Sequence, residues 1–356
     1  MEEVTRGSGP DTVDMFDHLK DKGFNVYYSA IYTYSIRANT TLPAHFLIYH
    51  KDAEFLFHVV VFYKRHKNFM WCDKLQKEML IEKIKQDNLK VFNKSLSEVL
   101  DKLHFGKYAF SFKSINTTMG TSHNINFLIP ENGEQFLKDY REPEFIECNY
   151  TRANFYYKNY EISKKLTTWM SKAVKMIEKI GEALDKHGVP FTIAEGTLLG
   201  WYRQCGIITH TTDLDVLILR KDYTENILKS LKKIGFSHTQ TFGKLNDSYE
   251  YSFRWSGVKL DVFFAYKEND TWWLGGTNGK KKLRFTIPKF KNCWSELMGV
   301  RVRVPCNAGE YIKKSYGENW YKPIKKWNWA SDATNSKVVG RWKRSISWIK
   351  RHCIFC

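Results

Sequence analysis

Two carboxylates inside an apolar strand constrain this chain more than any other feature in it. Residues 191–220 read FTIAEGTLLGWYRQCGIITHTTDLDVLILR. From Leu214 to Leu219 every residue except Asp215 is aliphatic, the pattern of a buried strand. Side chains two apart on a strand share a face, so Asp213 and Asp215 point the same way, with Cα atoms about 7 Å apart. The two charges repel, and they resist burial unless something positive sits between them. A hard divalent cation does this: Mg²⁺ is typically held by one or two carboxylates with substrate phosphates and water.

The spacing alone is cheap. Glu142/Glu144 and Glu268/Asp270 repeat it in hydrophilic sequence, where a solvated surface is the simpler reading. Two further features set Asp213/Asp215 apart. Val258 to Tyr266 (VKLDVFFAY) is a second strand-like run with Asp261 as its single acid, and a neighbouring strand, parallel or antiparallel, could bring that acid to the same edge. The turn Glu195-Gly196-Thr197 joins a strand to a helical segment. Small residues there let backbone approach a ligand, and a helix N-terminus favours phosphate.

A small-residue turn after a strand, then Asp-x-Asp, then a third Asp on a later strand resembles the nucleotidyltransferase fold of the polymerase-beta type. More narrowly, GTLLGWYRQCGIITHTTDLDV resembles the LicD/fukutin family. The similarity continues through Phe242-Gly243-Lys244, Lys259-Leu260-Asp261-Val262-Phe263-Phe264, Gly275-Gly276-Thr277, Pro288-Lys289-Phe290, Val304-Pro305-Cys306 and Tyr316-Gly317-Glu318-Asn319-Trp320. The resemblance implies an α/β (α+β) fold. A polymerase-beta-like catalytic domain is expected over residues 160–330, preceded by a mixed α/β, non-catalytic stem domain (1–155) and followed by a basic tail (331–356).

The chemistry expected is metal-assisted phosphoryl-group transfer. Asp213 and Asp215 would hold Mg²⁺ or Mn²⁺ against the diphosphate of a nucleotide-activated donor. Asp261 would complete the metal shell or take the proton of the attacking hydroxyl; the pattern leaves both open. Gly196 and Thr197 would offer backbone N–H groups to phosphate. Arg203 could reach a phosphate oxygen bidentately or be a surface arginine, and His210 could be a phosphate contact or a loop histidine. Lys244 and Lys259 are further phosphate candidates. By resemblance, the donor is CDP-ribitol, the acceptor an O-mannosyl glycan on a dystroglycan-like glycoprotein, and CMP the product. Phosphocholine or another CDP-alcohol is the alternative cargo, and a non-catalytic partner in a complex of glycosylation enzymes is the alternative role.

The formal charge of +18 over 356 residues calls for an anionic partner, but no nucleic-acid motif accompanies it, so no nucleic acid is expected. Five Asn-x-Ser/Thr sequons, at Asn39, Asn93, Asn116, Asn149 and Asn246, favour the lumen of the Golgi or endoplasmic reticulum. Family members are usually anchored there by an N-terminal span; no apolar run here is long enough to serve as one, a departure from the family. Of the seven cysteines, Cys293 and Cys306 could bridge. The lone pair Cys353/Cys356 is no zinc signature.

Along the chain, Asn25–Ile36, Phe46–His50 and Phe55–Tyr63 read as strands and Leu75–Leu103 as helical, while His58, His66 and His104 read as isolated. Pro143–Tyr160 reads as a linker. Ile162–His187 is an amphipathic helix with Leu166, Trp169, Met170, Val174, Ile177, Ile180 and Leu184 on one face, stopping at Gly188 with Pro190 beyond. Tyr249–Trp255 and Val258–Tyr266 pair across Ser256-Gly257. Trp272–Gly276 reads as an aromatic loop, and Trp342–Ile349 as an amphipathic stretch in the tail.

Overall fold

A computed structural model describes residues 18–33, 40–50, 56–65, 69–86, 96–103, 106–113, 115–122, 125–142, 144–160 and 167–342. The chain divides into two compact units, Met1–Phe145 and Ile146–Cys356.

The first unit is built on antiparallel strands. β1 (Phe24–Thr33), β2 (Thr40–His50) and β3 (Leu56–Val60) form one sheet. β4 (Tyr63–Arg65) and β5 (Phe69–Cys72) pair in a second, in which β5 also pairs β6 (Ala109–Lys113) and β6 pairs β9 (Glu144–Phe145). Between them run α1 (Lys77–Gln86) and α2 (Leu96–Asp101), then the hairpin β7 (Thr117–Ser122) and β8 (Ile125–Pro130), then α3 (Gly133–Arg141). Leu47 and Tyr49 of β2 bury against Leu75, Leu80, Ile84 and Leu100. The expected helix 75–103 is thus at least two helices, with 87–95 outside the described residues. His66 and His104 also lie outside them, and His58 is not isolated: its Nε2 is 3.1 Å from Nδ1 of the fully buried His45.

The second unit opens with α4 (Tyr150–Asn159), capped by Asn149, whose side chain accepts from the Arg152 N–H. Of the stretch Pro143–Tyr160 read as a linker, residues 150–159 are therefore a folded helix with Ala153 and Tyr156 buried, and the division between the two units falls at Phe145/Ile146. Its aromatic residues lacked apolar periodicity because it is anchored by individual rings, not by a stripe. α5 (Thr168–Asp185) does follow the stripe: Met170, Ala173, Met176, Ile177, Ile180, Ala183 and Leu184 are buried and Trp169 and Val174 half-buried. Leu166 lies outside the described residues.

From there β10 (Thr192–Ile193) leads into α6 (Glu195–Gln204), β11 (Asp213–Leu219) and α7 (Asn226–Lys233). Seven strands follow: β12 (Ser237–Lys244), β13 (Asp247–Trp255), β14 (Val258–Glu268), β15 (Thr271–Asn278), β16 (Lys281–Pro288) and the hairpin of β17 (Asn292–Leu297) and β18 (Val300–Pro305). The described chain closes with α8 (Ala308–Tyr316) and β19 (Ser336–Arg341). The main sheet runs β10-β11-β14-β15-β16-β19, with β13 also on β14 and β12 on β13. Only β11 and β14 pair in parallel; the other pairs of this sheet are antiparallel.

The β13–β14 hairpin turns on two residues, Ser256 and Gly257, both with positive φ, the conformation of a primed turn that matches strand twist. Two sequence expectations change. Trp272–Gly276 lies in strand β15, and Trp273 stacks on Tyr266 of the neighbouring β14 with ring centroids 4.4 Å apart. The segment after Ser331 returns as β19 along β16, which ends the sheet. The expected stretch Trp342–Ile349 lies outside the described residues beyond Trp342. Two disulfides, Cys148–Cys205 and Cys293–Cys306, tie this unit internally.

Candidate active site

Parallel pairing of β11 with β14 puts Asp215 opposite Asp261 and Asp213 opposite Lys259. Hydrophobic pattern fixes that register. Leu214, Val216 and Ile218 are fully buried on one side of β11, and Leu260, Val262 and Phe264 match them on β14. A slip of one residue would drive the acids into that core. The result is a cluster: one carboxylate oxygen from each of Asp213, Asp215 and Asp261 lies within 4.8 Å of the others.

Each acid is oriented by neighbours. Asp213 accepts from Thr211 Oγ1 at 3.0 Å. Asp215 is held three ways: its Oδ2 accepts from the Gly196 N–H at 3.1 Å, its own N–H donates to Thr197 Oγ1 at 2.8 Å, and its carbonyl accepts from Ala194 N–H at 3.0 Å. Asp261 is buried and accepts from Ser252 Oγ at 2.7 Å and from Lys259 Nζ at 2.5 Å. Gly196 fits closely against this carboxylate: a Cβ there would sit 3.2 Å from Asp215 Oδ2, so any side chain would displace that oxygen by a few tenths of an ångström. Just before it, Glu195 occupies φ +38°, an uncommon conformation for a residue with a side chain; its carboxylate accepts from the buried Tyr311 hydroxyl at 2.7 Å.

The electrostatics follow from this crowding. Burial, then Asp213, Asp261 and Glu195, push the Asp215 carboxyl well above its ordinary pKa, with Lys259 opposing them. Burial also raises Glu195, against the Tyr311 hydrogen bond. Glu250 is pushed up to about 8 by burial and by Asp261. For Lys259, burial works against the charge, but Asp261, Asp213 and Glu250 outweigh it and raise the pKa. One ammonium thus acts on four carboxyl groups, those of Asp213, Asp215, Asp261 and Glu250. Three hard oxygen donors converging within 4.8 Å, with a shortage of positive charge around them, fit a divalent cation of the Mg²⁺ or Mn²⁺ kind.

These groups open on a cavity of about 550 Å³ lined also by Arg203, His210, Tyr316, Lys322, Lys325 and aromatic residues including Phe242, Phe285, Trp320, Trp327 and Trp329. The residues expected from sequence are divided by the structure. Asp213, Asp215, Asp261, Gly196, Arg203, His210 and Lys259 all reach this cavity. The Gly196 N–H is engaged by Asp215 Oδ2, and the Thr197 hydroxyl accepts from the Asp215 N–H. Lys259 is engaged with Asp261. His210 Nε2 lies 3.2 Å from the Ile324 carbonyl. Arg203 is 3% exposed, not a surface arginine. Lys244 sits exposed at the β12–β13 turn, away from the cavity lining.

Reading by motif misses Ser252, Glu250, Glu195 and Tyr311. For the first two a signal exists. Counting back from the Ser256-Gly257 turn places Ser252 opposite Asp261 and Glu250 opposite Phe263. The Glu195–Tyr311 contact joins residues 116 apart, and no local pattern announces it.

A family model described as LicD/FKTN/FKRP, nucleotidyltransferase domain, matches residues 188–307, and one described as Fukutin N-terminal matches residues 33–173. The human ribitol-5-phosphate transferase FKTN is 34% identical over 311 residues, 86% of this chain and 64% of that one. The mouse protein of the same name is 34% identical over 310 residues, with the same coverage. An uncharacterized protein of Caenorhabditis elegans is 30% identical over 244 residues, 65% of this chain and 62% of that one. The chain thus spans a little under two thirds of the length of these relatives.

Proposed function

The chain belongs to the LicD/fukutin family, with its N-terminal and nucleotidyltransferase domains in that order, and on that footing we propose that it is a ribitol-5-phosphate transferase. Its donor is CDP-ribitol, its acceptor a sugar hydroxyl of an O-mannosyl glycan on a glycoprotein, and CMP is released. The observation that carries this reading is the convergence of Asp213, Asp215 and Asp261 at the wall of a cavity that also holds basic and aromatic residues. The names of the mammalian relatives support the choice of ribitol phosphate.

The reaction is a displacement at phosphorus. The acceptor oxygen forms a bond to the phosphorus bearing ribitol, the bond from that phosphorus to the CMP oxygen breaks, and the acceptor proton passes to a carboxylate of the cluster, the role open to Asp261, and from there to solvent. Asp213, Asp215 and Asp261 would hold Mg²⁺ or Mn²⁺, which when bound neutralises charge on the diphosphate and on the departing nucleotide. The chain's own residues do the rest. Gly196 and Thr197 lock Asp215, Ser252 locks Asp261, and Lys259 adds positive charge beside the transferred group. The aromatic wall excludes water, which would otherwise compete with the acceptor hydroxyl.

The setting we propose is the lumen of the Golgi or endoplasmic reticulum, in company with other glycosylation enzymes. Two disulfides support an oxidising compartment. Asn116, Asn149 and Asn246, three of the sequon asparagines, are exposed. No helix among the described residues is long and apolar enough to cross a membrane.

The test is CMP release from CDP-ribitol, with CDP-choline and CDP-glycerol in parallel, a glycopeptide acceptor, and Mg²⁺, Mn²⁺ or chelator. Cation-dependent CMP release from CDP-ribitol alone is expected. Release from CDP-choline in its place moves the assignment to another cargo, and silence with every donor from a folded chain overturns the reading.

A further inference from the structure

Among the described residues, Arg203 is a buried cation of this cavity that meets no carboxylate. Arg203 lies in the last turn of α6 and is 3% exposed. Its guanidinium rests over the Tyr156 ring, 4.6 Å from the centroid. Nη2 donates to Gln204 Oε1 at 3.1 Å, Nη1 reaches the Trp320 carbonyl at 3.4 Å, and Nε meets no acceptor. The groups that act on its charge are the phenols of Tyr156, Tyr316, Tyr157 and Tyr160, none of them an acid at neutral pH. Arg284 and Arg303 of this unit are ion-paired, with Glu268 at 2.7 Å and with Asp185 at 3.6 Å. Arg152 and Arg220, only partly buried, rest like Arg203 on backbone carbonyls and rings, and Arg203 is the one among these that is fully enclosed. Removing a cation from water without an acid beside it is costly. Guanidinium groups are also the favoured partners of phosphate oxygens.

The surroundings of Arg203 are built and not incidental. Tyr156 and Tyr157 come from α4, and the Cys148–Cys205 disulfide ties the residue two before α4 to the residue two after Arg203. Arg152 of α4 adds a hydrogen bond to the Tyr202 carbonyl at 2.8 Å. Arg203 lines the same cavity as the three aspartates, and Tyr316 lies within electrostatic reach of Arg203, Asp213 and Asp215.

We propose that Arg203 and its tyrosine cage form a second anchoring point in this cavity, separate from the carboxylates, that takes a phosphate oxyanion of the substrate. The site binds the anion whatever the transferred group is; only the identification of that anion with donor or acceptor rests on the phosphotransferase reading.

The test is calorimetric binding of inorganic pyrophosphate to the full chain in chelator, for wild type, Arg203→Met and Arg203→Lys, with a melting temperature for each. Wild type is expected to bind. Arg203→Met is expected to melt at or above wild type, because an unpaired buried charge is gone, and to bind about tenfold more weakly or worse. Arg203→Lys keeps the charge but loses the planar fork, and is expected to bind about fivefold more weakly. Absence of binding by wild type, or an Arg203→Met chain that binds as wild type does, overturns the proposal. Should Arg203→Met not fold, Arg203→Lys decides, and equal affinity there overturns it. Repeating the titrations with CMP and with glucose 6-phosphate identifies the source: the arm that weakens in the variants is the group that Arg203 holds. A chain that binds pyrophosphate through Arg203 yet releases no CMP defeats the transfer reading alone. A chain that transfers without using Arg203 defeats this proposal alone.

Discussion

In the first unit, the fully buried His45 donates from Nε2 to the Asp73 carbonyl at 2.7 Å and turns Nδ1 to His58 Nε2 at 3.1 Å. Burial lowers the pKa of both rings, that of His58 to about 4 with help from His45, so the pair is neutral and its polar atoms meet one another. In the second unit, Asp213, Asp215 and Asp261 stand together with one ammonium, and Arg203 stands with none of the acids. The difference separates a polar group buried for architecture from one buried for a ligand. The first finds its partners within the fold, whereas the second leaves charge uncompensated at the wall of a cavity. Buried charge without a partner is expensive, and a chain keeps it where something from outside completes it.

The contrast can be broken at several points. The largest effect is expected from Asp215→Asn, which should lower CMP release at least about 1,000-fold. The same variant should melt at or above wild type in chelator, since it relieves repulsion with Asp213 and Asp261. A variant that keeps its activity, or that unfolds, would mean that Asp215 is architectural like His45. Next is Cys148→Ser with Cys205→Ser. A loop of 57 residues is released, and a loss of about 2–4 kcal/mol is expected in denaturant melts of the second unit. Local hydrogen exchange should leave the first unit unchanged, because Cys72, its buried cysteine, is unpaired in any disulfide.

Thr197→Val is expected to cost about 1–3 kcal/mol, because the buried Asp215 N–H loses its acceptor. It should also lower CMP release by loosening Asp215, and a variant with unchanged stability and activity would remove Thr197 from the site. The smallest effect is a pair of opposite pH slopes. His58 is lowered from 6.5 to about 4, so between those values the unfolded chain binds more protons and the first unit gains stability as pH rises. Asp215, Glu195 and Glu250 are raised. There the folded chain binds more protons, so in chelator the second unit loses stability as pH rises from about 4.5 through about 8, the values that bound the Glu250 shift. Hydrogen exchange read separately in the two units, from pH 5 to 8, checks both signs. Parallel slopes would erase the distinction.

The parts of the site that were legible in sequence are those carried by strong local patterns. Asp213 and Asp215 stood out because an acid in an aliphatic strand is an exception to the rule that fills such strands. Asp261 stood out for the same reason, and the two-residue turn at Ser256-Gly257 announced the hairpin that bears it. The stripe of α5 was legible because one face of a helix repeats every three or four residues. The helix α4 and the strand β19 were not. Each is held by scattered contacts with distant residues, as with Arg152 on the Tyr202 carbonyl and Ser336 opposite Phe285.

By itself, then, the sequence determined which strands are buried, which acids share a face and where the main hairpin turns, because these follow from periods of two and 3.6 residues and from the φ that each residue tolerates. Only the tertiary structure decided that β11 and β14 run parallel with Asp215 beside Asp261, and that Gly196 and Thr197 serve Asp215. It also decided that Arg203 is enclosed by tyrosines with no acid. Parallel register, and the presence or absence of a counter-ion, depend on which distant segments meet in space, and no local pattern of residue types carries that information.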